Sequence, residues 1–223
     1  MIEYLTNQFQ GMDFWEVIQI VGLVLSFVYL ILEFEQKALM WIVSAICSVI
    51  YASVYFNTKI YADMAFSCFN VALCVYGYIK WLRKAQKADA TARVPGGSSR
   101  NDIQDNVRNN ALIEYRTFSR PLALKTFGAT FALWLVITAI LKYLTDSPVP
   151  GTDSFTTTLN IVGTWVLAQK LIEVWGFWFV VNLVSIYLYC KRGLHISTIL
   201  LYVFYLGASV YGFWKWKRYG KHI

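Results

Sequence analysis

The sequence predicts an all-α membrane protein of seven transmembrane helices, arranged as two parallel three-helix repeats joined by a linker helix, a 3+1+3 plan. Three observations predict it. Of 223 residues, 57% are hydrophobic and only 15% charged, whereas a soluble domain carries about 25% charged residues. The apolar residues fall in runs, such as Val17 to Leu32, Leu39 to Phe56 and Leu122 to Leu141, at or near the ~20 residues of helix that cross a bilayer. Finally, VYGYIKW at Val75 to Trp81 returns as VYGFWKW at Val210 to Trp216.

Residues 1–14 form an N-terminal segment. The first fifteen residues carry Glu3 and Asp13 but no Lys or Arg, so the positive start of a cleavable signal peptide is missing. The first repeat, 15–83, holds spans at about 15–33, 38–56 and 60–82. Residues 84–121 form a polar linker whose PGGSS at Pro95 to Ser99 is a flexible break. Ile103, Val107 and Ala111 follow at helical spacing, as in a short amphipathic segment on the membrane surface or a solvated linker. The connecting span is 122–144. The second repeat, 155–217, holds spans at about 155–171, 173–190 and 195–217. The first of these is diluted by Thr156, Thr157, Thr158, Asn160, Thr164 and Gln169, and suits lipid only if that polar face looks inward.

The repetition extends past the heptapeptide. WIVSAICS at Trp41 to Ser48 resembles WFVVNLVS at Trp178 to Ser185, an offset of 137, and Ile20-Val21-Gly22 returns as Ile161-Val162-Gly163. Because one span separates the copies, the second enters the membrane from the same side as the first. This is a parallel repeat, with a substrate site expected near the midplane at the repeat interface.

Charge sets the orientation. Only four of the 20 Lys and Arg, namely Lys59, Lys142, Lys191 and Arg192, fall on the side of the N-terminus. Cytoplasmic segments carry the excess, so the linker and the C-terminus are expected inside and the N-terminus outside. The net charge of +7 is then a topology signal that anionic lipid satisfies, and nucleic acid is not an expected partner. Cys47, Cys68, Cys74 and Cys190 match no zinc or redox spacing, and His195 and His222 stand alone. No metal, cofactor or catalytic triad is expected, and an intramembrane enzyme lacks the groups it would need.

The WxxxNxxS motif at Trp178 to Ser185, the YGxxKW pair and the 3+1+3 layout resemble the PnuC family of bacterial vitamin B3 transporters, which are similar to SWEET sugar transporters. The resemblance covers nearly the whole chain outside the linker and N-terminal segment. It implies facilitated diffusion of nicotinamide riboside through the bacterial inner membrane, trapping by a separate kinase, and a homotrimer. SWEETs carry prolines within their bundles, whereas Pro95, Pro121, Pro148 and Pro150 lie outside the spans predicted here.

Helix faces supply candidate ligands, because polar faces in a bilayer must look at protein or water. Trp175, Trp178, Asn182, Ser185 and Tyr189 form one stripe. Trp41 and Ser48 take the equivalent places in the first copy, with Ala45 where Asn182 would stand. The third span offers Asp63, Ser67, Asn70, Cys74, Gly77 and Trp81, and the seventh answers with Thr198, Tyr202, Tyr205, Ser209, Gly212 and Trp216. The first span adds Gln19, Gly22, Ser26, Tyr29, Glu33 and Gln36. The substrate-binding set expected from these stripes is Trp41, Trp178, Asn182, Asn70, Ser185, Ser48, Tyr205, Gln36 and Trp175. Tryptophan faces attract flat cations such as a pyridinium, and amides pair with a carboxamide or ribose hydroxyls. Ordinary helix packing explains many of the small residues equally well, and Trp81 and Trp216 read as interfacial anchors. With Glu33, Asp63 and Glu173 all near span ends, no carboxylate for ion coupling is apparent, and uniport is expected. A small sugar or another nucleoside or vitamin is the alternative cargo.

Overall fold

The computed structural model describes residues 14–57, 61–92, 113–144, 150–191 and 196–223. Seven helices are found among them: α1 (Phe14–Phe34), α2 (Leu39–Asn57), α3 (Tyr61–Ala92), α4 (Arg120–Leu144), α5 (Pro150–Ala168), α6 (Val174–Lys191) and α7 (Ile196–Tyr219). Each overlaps one predicted span. The predicted amphipathic segment around Ile103 to Ala111 lies outside the described residues, as does most of the N-terminal segment.

Three helices differ from expectation at their ends. α3 runs ten residues past its predicted end at 82, through RKAQKADATA, because those residues are mostly good helix formers and the limit of an apolar run is not a helix stop. α5 begins at Pro150 and α4 at Arg120, so Pro150 and Pro121 lie inside helices and not outside them. Both occupy first-turn positions, where the missing N–H has no intrahelical partner to lose.

The chain divides into two compact units, Met1–Tyr78 and Ile79–Ile223. In the first, α1 packs along α2, and Gly22 brings the helices together: a Cβ there would meet the Tyr51 ring at 3.3 Å. In the second, α4 packs on α5, α5 on α6 and α6 on α7. The α4–α5 contact is polar inside: Trp134 Nε1–H donates to the Gly151 carbonyl at 3.0 Å, and Thr138 and Ser154 share a 2.6 Å hydroxyl hydrogen bond. Three of the polar residues that dilute α5, Thr156, Thr157 and Thr164, bond within the helix. Thr157 donates to the Asp153 carbonyl at 2.9 Å and Thr164 to that of Asn160 at 2.8 Å, the back-bonding that lets a threonine sit in an apolar setting.

Outward faces are apolar. α4 exposes Leu124, Phe127, Phe131, Leu135, Val136 and Ile140, a surface that water would penalise and lipid would not. By length and composition, Met64–Arg83 and Arg120–Tyr143 suffice to cross a membrane. Ile20–Phe34, Leu39–Val54 and Val174–Tyr187 are shorter apolar stretches.

One element was not legible in the sequence. β1 (Ile113–Tyr115), from the end of the linker, pairs in parallel with β2 (Gly220–His222) at the C-terminus, Ile113 opposite Gly220. The next residue, Arg116, bridges the α5–α6 turn: its N–H donates to Lys170 O at 2.9 Å, and its carbonyl accepts from Ile172 N–H at 2.9 Å.

Candidate functional site

The candidate residues sit on helices whose entry is set by two turns of identical backbone. At the end of α1, Gln36 adopts φ 52°, and at the end of α5, Lys170 adopts φ 58°. Lys37 N–H reaches back to Leu32 O at 3.0 Å, while Leu171 N–H reaches Val166 O at 3.2 Å. Gln36 N–H to Glu33 O and Lys170 N–H to Leu167 O complete the pairs. These are the six-to-one and five-to-two bonds of a Schellman cap, which closes a helix around one left-handed residue. The next turn repeats as well: Trp41 N–H donates to Ala38 O, and Trp175 N–H to Ile172 O.

The two units therefore correspond at an offset of 134, Gln36 to Lys170 and Trp41 to Trp175. This corrects the offset of 137 that matched Trp41 with Trp178. The counterpart of Trp178 is Ser44, and that of Asn182 is Ser48, in place of the Ala45 expected from the string match. Similar letters had been aligned one helical turn out of register. The signal that finds the true register is the backbone of the turn, which apolar strings do not encode.

The tryptophans after the two turns also pack alike, on glycines that stand 135 residues apart. Trp41 is 2% exposed and lies on Gly77 of α3, where a Cβ would stand 2.5 Å from the indole. Trp175, also 2% exposed, lies on Gly212 of α7, where a Cβ would collide with the ring. Trp216 crosses Trp175 edge to face at 5.3 Å and is fully buried, and Trp81 is 6% exposed with its Nε1–H donated to Ala168 O at 3.2 Å. Trp81 and Trp216 are thus core residues of the second unit, not the interfacial anchors expected.

The remaining candidates divide between the units. In the first, Asn70 Nδ2 donates to Ser48 Oγ at 2.9 Å, and Ser48 donates on to Ser44 O at 2.8 Å. Gln36 is the left-handed residue of the turn. Glu33, one turn before the end of α1, is 1% exposed and hydrogen-bonds Tyr29, so a carboxylate read as terminal is in fact buried. In the second unit, Trp178 and Asn182 are half-buried one turn apart on α6, and Ser185 is buried a turn further on. The outer edge of Trp178 lies on Gly163 of α5. Tyr205 of α7 is half-buried against Tyr202 and Phe204. The side chains of Gln19, Asp63, Tyr189 and Thr198 lie outside the described residues.

Sequence reasoning missed what holds α6 in place. Glu173, at the mouth of α6, accepts the Phe118 N–H at 2.8 Å. Lys170 stands 4.8 Å over the Trp81 ring and 3.9 Å from Glu114, and Lys80 Nζ donates to Gln169 Oε1. Thr117 and His222 are 3.1 Å apart, and Tyr115 meets the His222 ring edge to face. Linker, C-terminal tail and the end of α3 converge on one turn. Among the described residues no cluster of His, Cys, Asp and Glu could hold a metal.

Comparison with known proteins places this arrangement. The chain is similar to the nicotinamide riboside transporter PnuC of Escherichia coli (strain K12), at 21% identity over 80% of this chain and 76% of that one. It is also similar to PnuC of Neisseria mucosa, at 27% identity over 76% of this chain and 60% of that one. A crystal structure of the vitamin B3 transporter PnuC superposes with a TM-score of 0.66 and 21% identity, covering 97% of this chain and 86% of that one. The sequence profile of the nicotinamide mononucleotide transporter family matches residues 16–218. The chain therefore belongs to the nicotinamide mononucleotide transporter family, a family of transporters and not of enzymes.

Proposed function

We propose that this protein carries nicotinamide riboside across the bacterial inner membrane by facilitated diffusion, alternating its access between two three-helix repeats, with the N-terminus outside and the C-terminus in the cytoplasm. One observation carries the site: Trp178 and Asn182 are half-buried on one face of α6, while Trp41 and Trp175 are each only 2% exposed. An aromatic ring and an amide thus stand one turn apart on a half-buried face. Trp178 stacks on the pyridinium, an interaction worth on the order of 2 kcal/mol when desolvated, and Asn182 pairs with the carboxamide or ribose. Ser185 and Tyr205, in the same unit as Trp178, are further polar partners.

The candidate residues are aromatic or neutral, which suits a nucleoside better than a nucleotide whose phosphate calls for Arg or Lys. Uniport follows from the same inventory, with Glu33 tied to Tyr29 rather than presented as an ion ligand. The homotrimer implied by the family resemblance completes the proposal.

Binding to purified protein tests the site. Trp178→Leu should weaken nicotinamide riboside by about 5- to 30-fold, roughly 1 to 2 kcal/mol, with part recovered in Trp178→Phe. Asn182→Leu should cost on the order of 1 to 3 kcal/mol. Unchanged affinity in both variants removes the site from α6, and displacement by glucose or sucrose in proteoliposomes favours a sugar cargo. Uphill accumulation of unmodified substrate that an ionophore abolishes would overturn uniport.

A further inference from the structure

At the offset of 134, Gly163 and Trp178 of the second unit correspond to Tyr29 and Ser44 of the first. The pairs are reversed in size. In the first unit the large ring belongs to the first helix, and the small Ser44 on the second accepts a hydrogen bond from Cys74 Sγ at 3.3 Å. In the second unit the first helix carries glycine and the second carries the indole.

The exchange leaves Trp178 room to lie along α5, and the fit is close. A Cβ on Gly163 would stand 2.8 Å from Cζ3 and 3.0 Å from Cη2 of Trp178, and 3.4 Å from Phe177 Cβ. Cζ3 and Cη2 form the far end of the six-membered ring. The closer of these contacts is shorter than a real Cβ tolerates, so an added methyl moves the indole. Trp178 is half-buried, whereas Trp41 and Trp175 are enclosed at 2% exposure. The same substitution that strains the core at Gly77 or Gly212 displaces a ligand-facing ring at Gly163.

We propose that Gly163 is a positioning residue: by its lack of a side chain it sets where the Trp178 indole stands, and thereby how well a flat cation stacks on it. The proposal rests on the reading of Trp178 as the stacking residue. It makes the width between α5 and α6 at this level a determinant of specificity, acting through the ring and not by contact with the substrate.

The test is a four-variant set, Gly163→Ala, Trp178→Phe, Trp178→Leu and the double Gly163→Ala/Trp178→Phe, with nicotinamide riboside binding and melting temperature measured on each purified protein. Gly163→Ala should weaken binding by about 3- to 10-fold with little change in melting temperature, because stacking is lost by misplacement. The double variant should bind no worse than Trp178→Phe alone, since phenylalanine lacks the outer ring atoms that collide; such non-additivity is the mark of residues in contact. If Trp178→Leu weakens binding and Gly163→Ala does not, the positioning role falls and the stacking reading stands. If Trp178→Leu binds normally, both fall. If Gly163→Ala fails to fold while the double variant folds, the contact is one of core packing and the proposal is overturned.

Discussion

Ile31 to Trp41 and Trp165 to Trp175 share, in register, only their final tryptophan, yet they fold into turns with the same five backbone hydrogen bonds and the same left-handed residue. Their neighbourhoods differ. The second turn is held by the Arg116 bridge, the Lys80–Gln169 bond, the Trp81–Ala168 bond and Lys170 beside Glu114. Around the first, Lys37 pairs with Glu35 at 2.6 Å within the turn itself. The turn backbone is set by what the helix end must satisfy, while the side chains around it differ with each turn's surroundings.

The largest effect should come from the feature the units share. Gly77→Ala and Gly212→Ala each place a methyl in a buried indole, and overpacking of this kind costs about 1 to 3 kcal/mol. Both should lower the melting temperature of the detergent-solubilised protein, and similar losses would support the likeness of the Trp41 and Trp175 packing on the two glycines. A loss at one and none at the other breaks the correspondence.

A somewhat smaller effect should separate the units. Glu173 accepts the linker's Phe118 N–H, whereas its counterpart at the mouth of α2 is Leu39, 53% exposed. Glu173→Ala should cost about 1 to 3 kcal/mol, and Glu173→Gln less because an acceptor oxygen remains. Leu39→Ala should stay within about 0.5 kcal/mol. Equal losses at the two positions would show that the linker contact contributes nothing to the second turn.

The smallest effect concerns the two left-handed residues. Glycine relieves the strain of positive φ at either place, but Lys170→Gly also gives up the approach to the Trp81 ring and to Glu114. Gln36→Gly should therefore leave the protein more stable than Lys170→Gly by about 0.5 to 1 kcal/mol. The reverse order in melting temperature would mean that Lys170 holds nothing in place.

Much of this protein is legible in its sequence. Length and periodicity of apolar runs determined seven helices, because a bilayer admits little else of that composition. The stripe of Trp178, Asn182 and Ser185 followed from helical spacing alone. The likeness of the two turns did not follow, since apolar letters interchange freely and the turn's dihedrals are written in no single residue: Gln36 and Lys170 are not the glycines that a left-handed cap favours. Nor could the sequence tell an enclosed ring from a half-buried one. Trp41, Trp175 and Trp178 read alike until neighbouring helices show which are enclosed. The pairing of Ile113–Tyr115 with Gly220–His222 joins segments about a hundred residues apart, and three-residue strands carry too little pattern to announce themselves. Only tertiary structure decided these points, because each depends on what a side chain or strand meets across space.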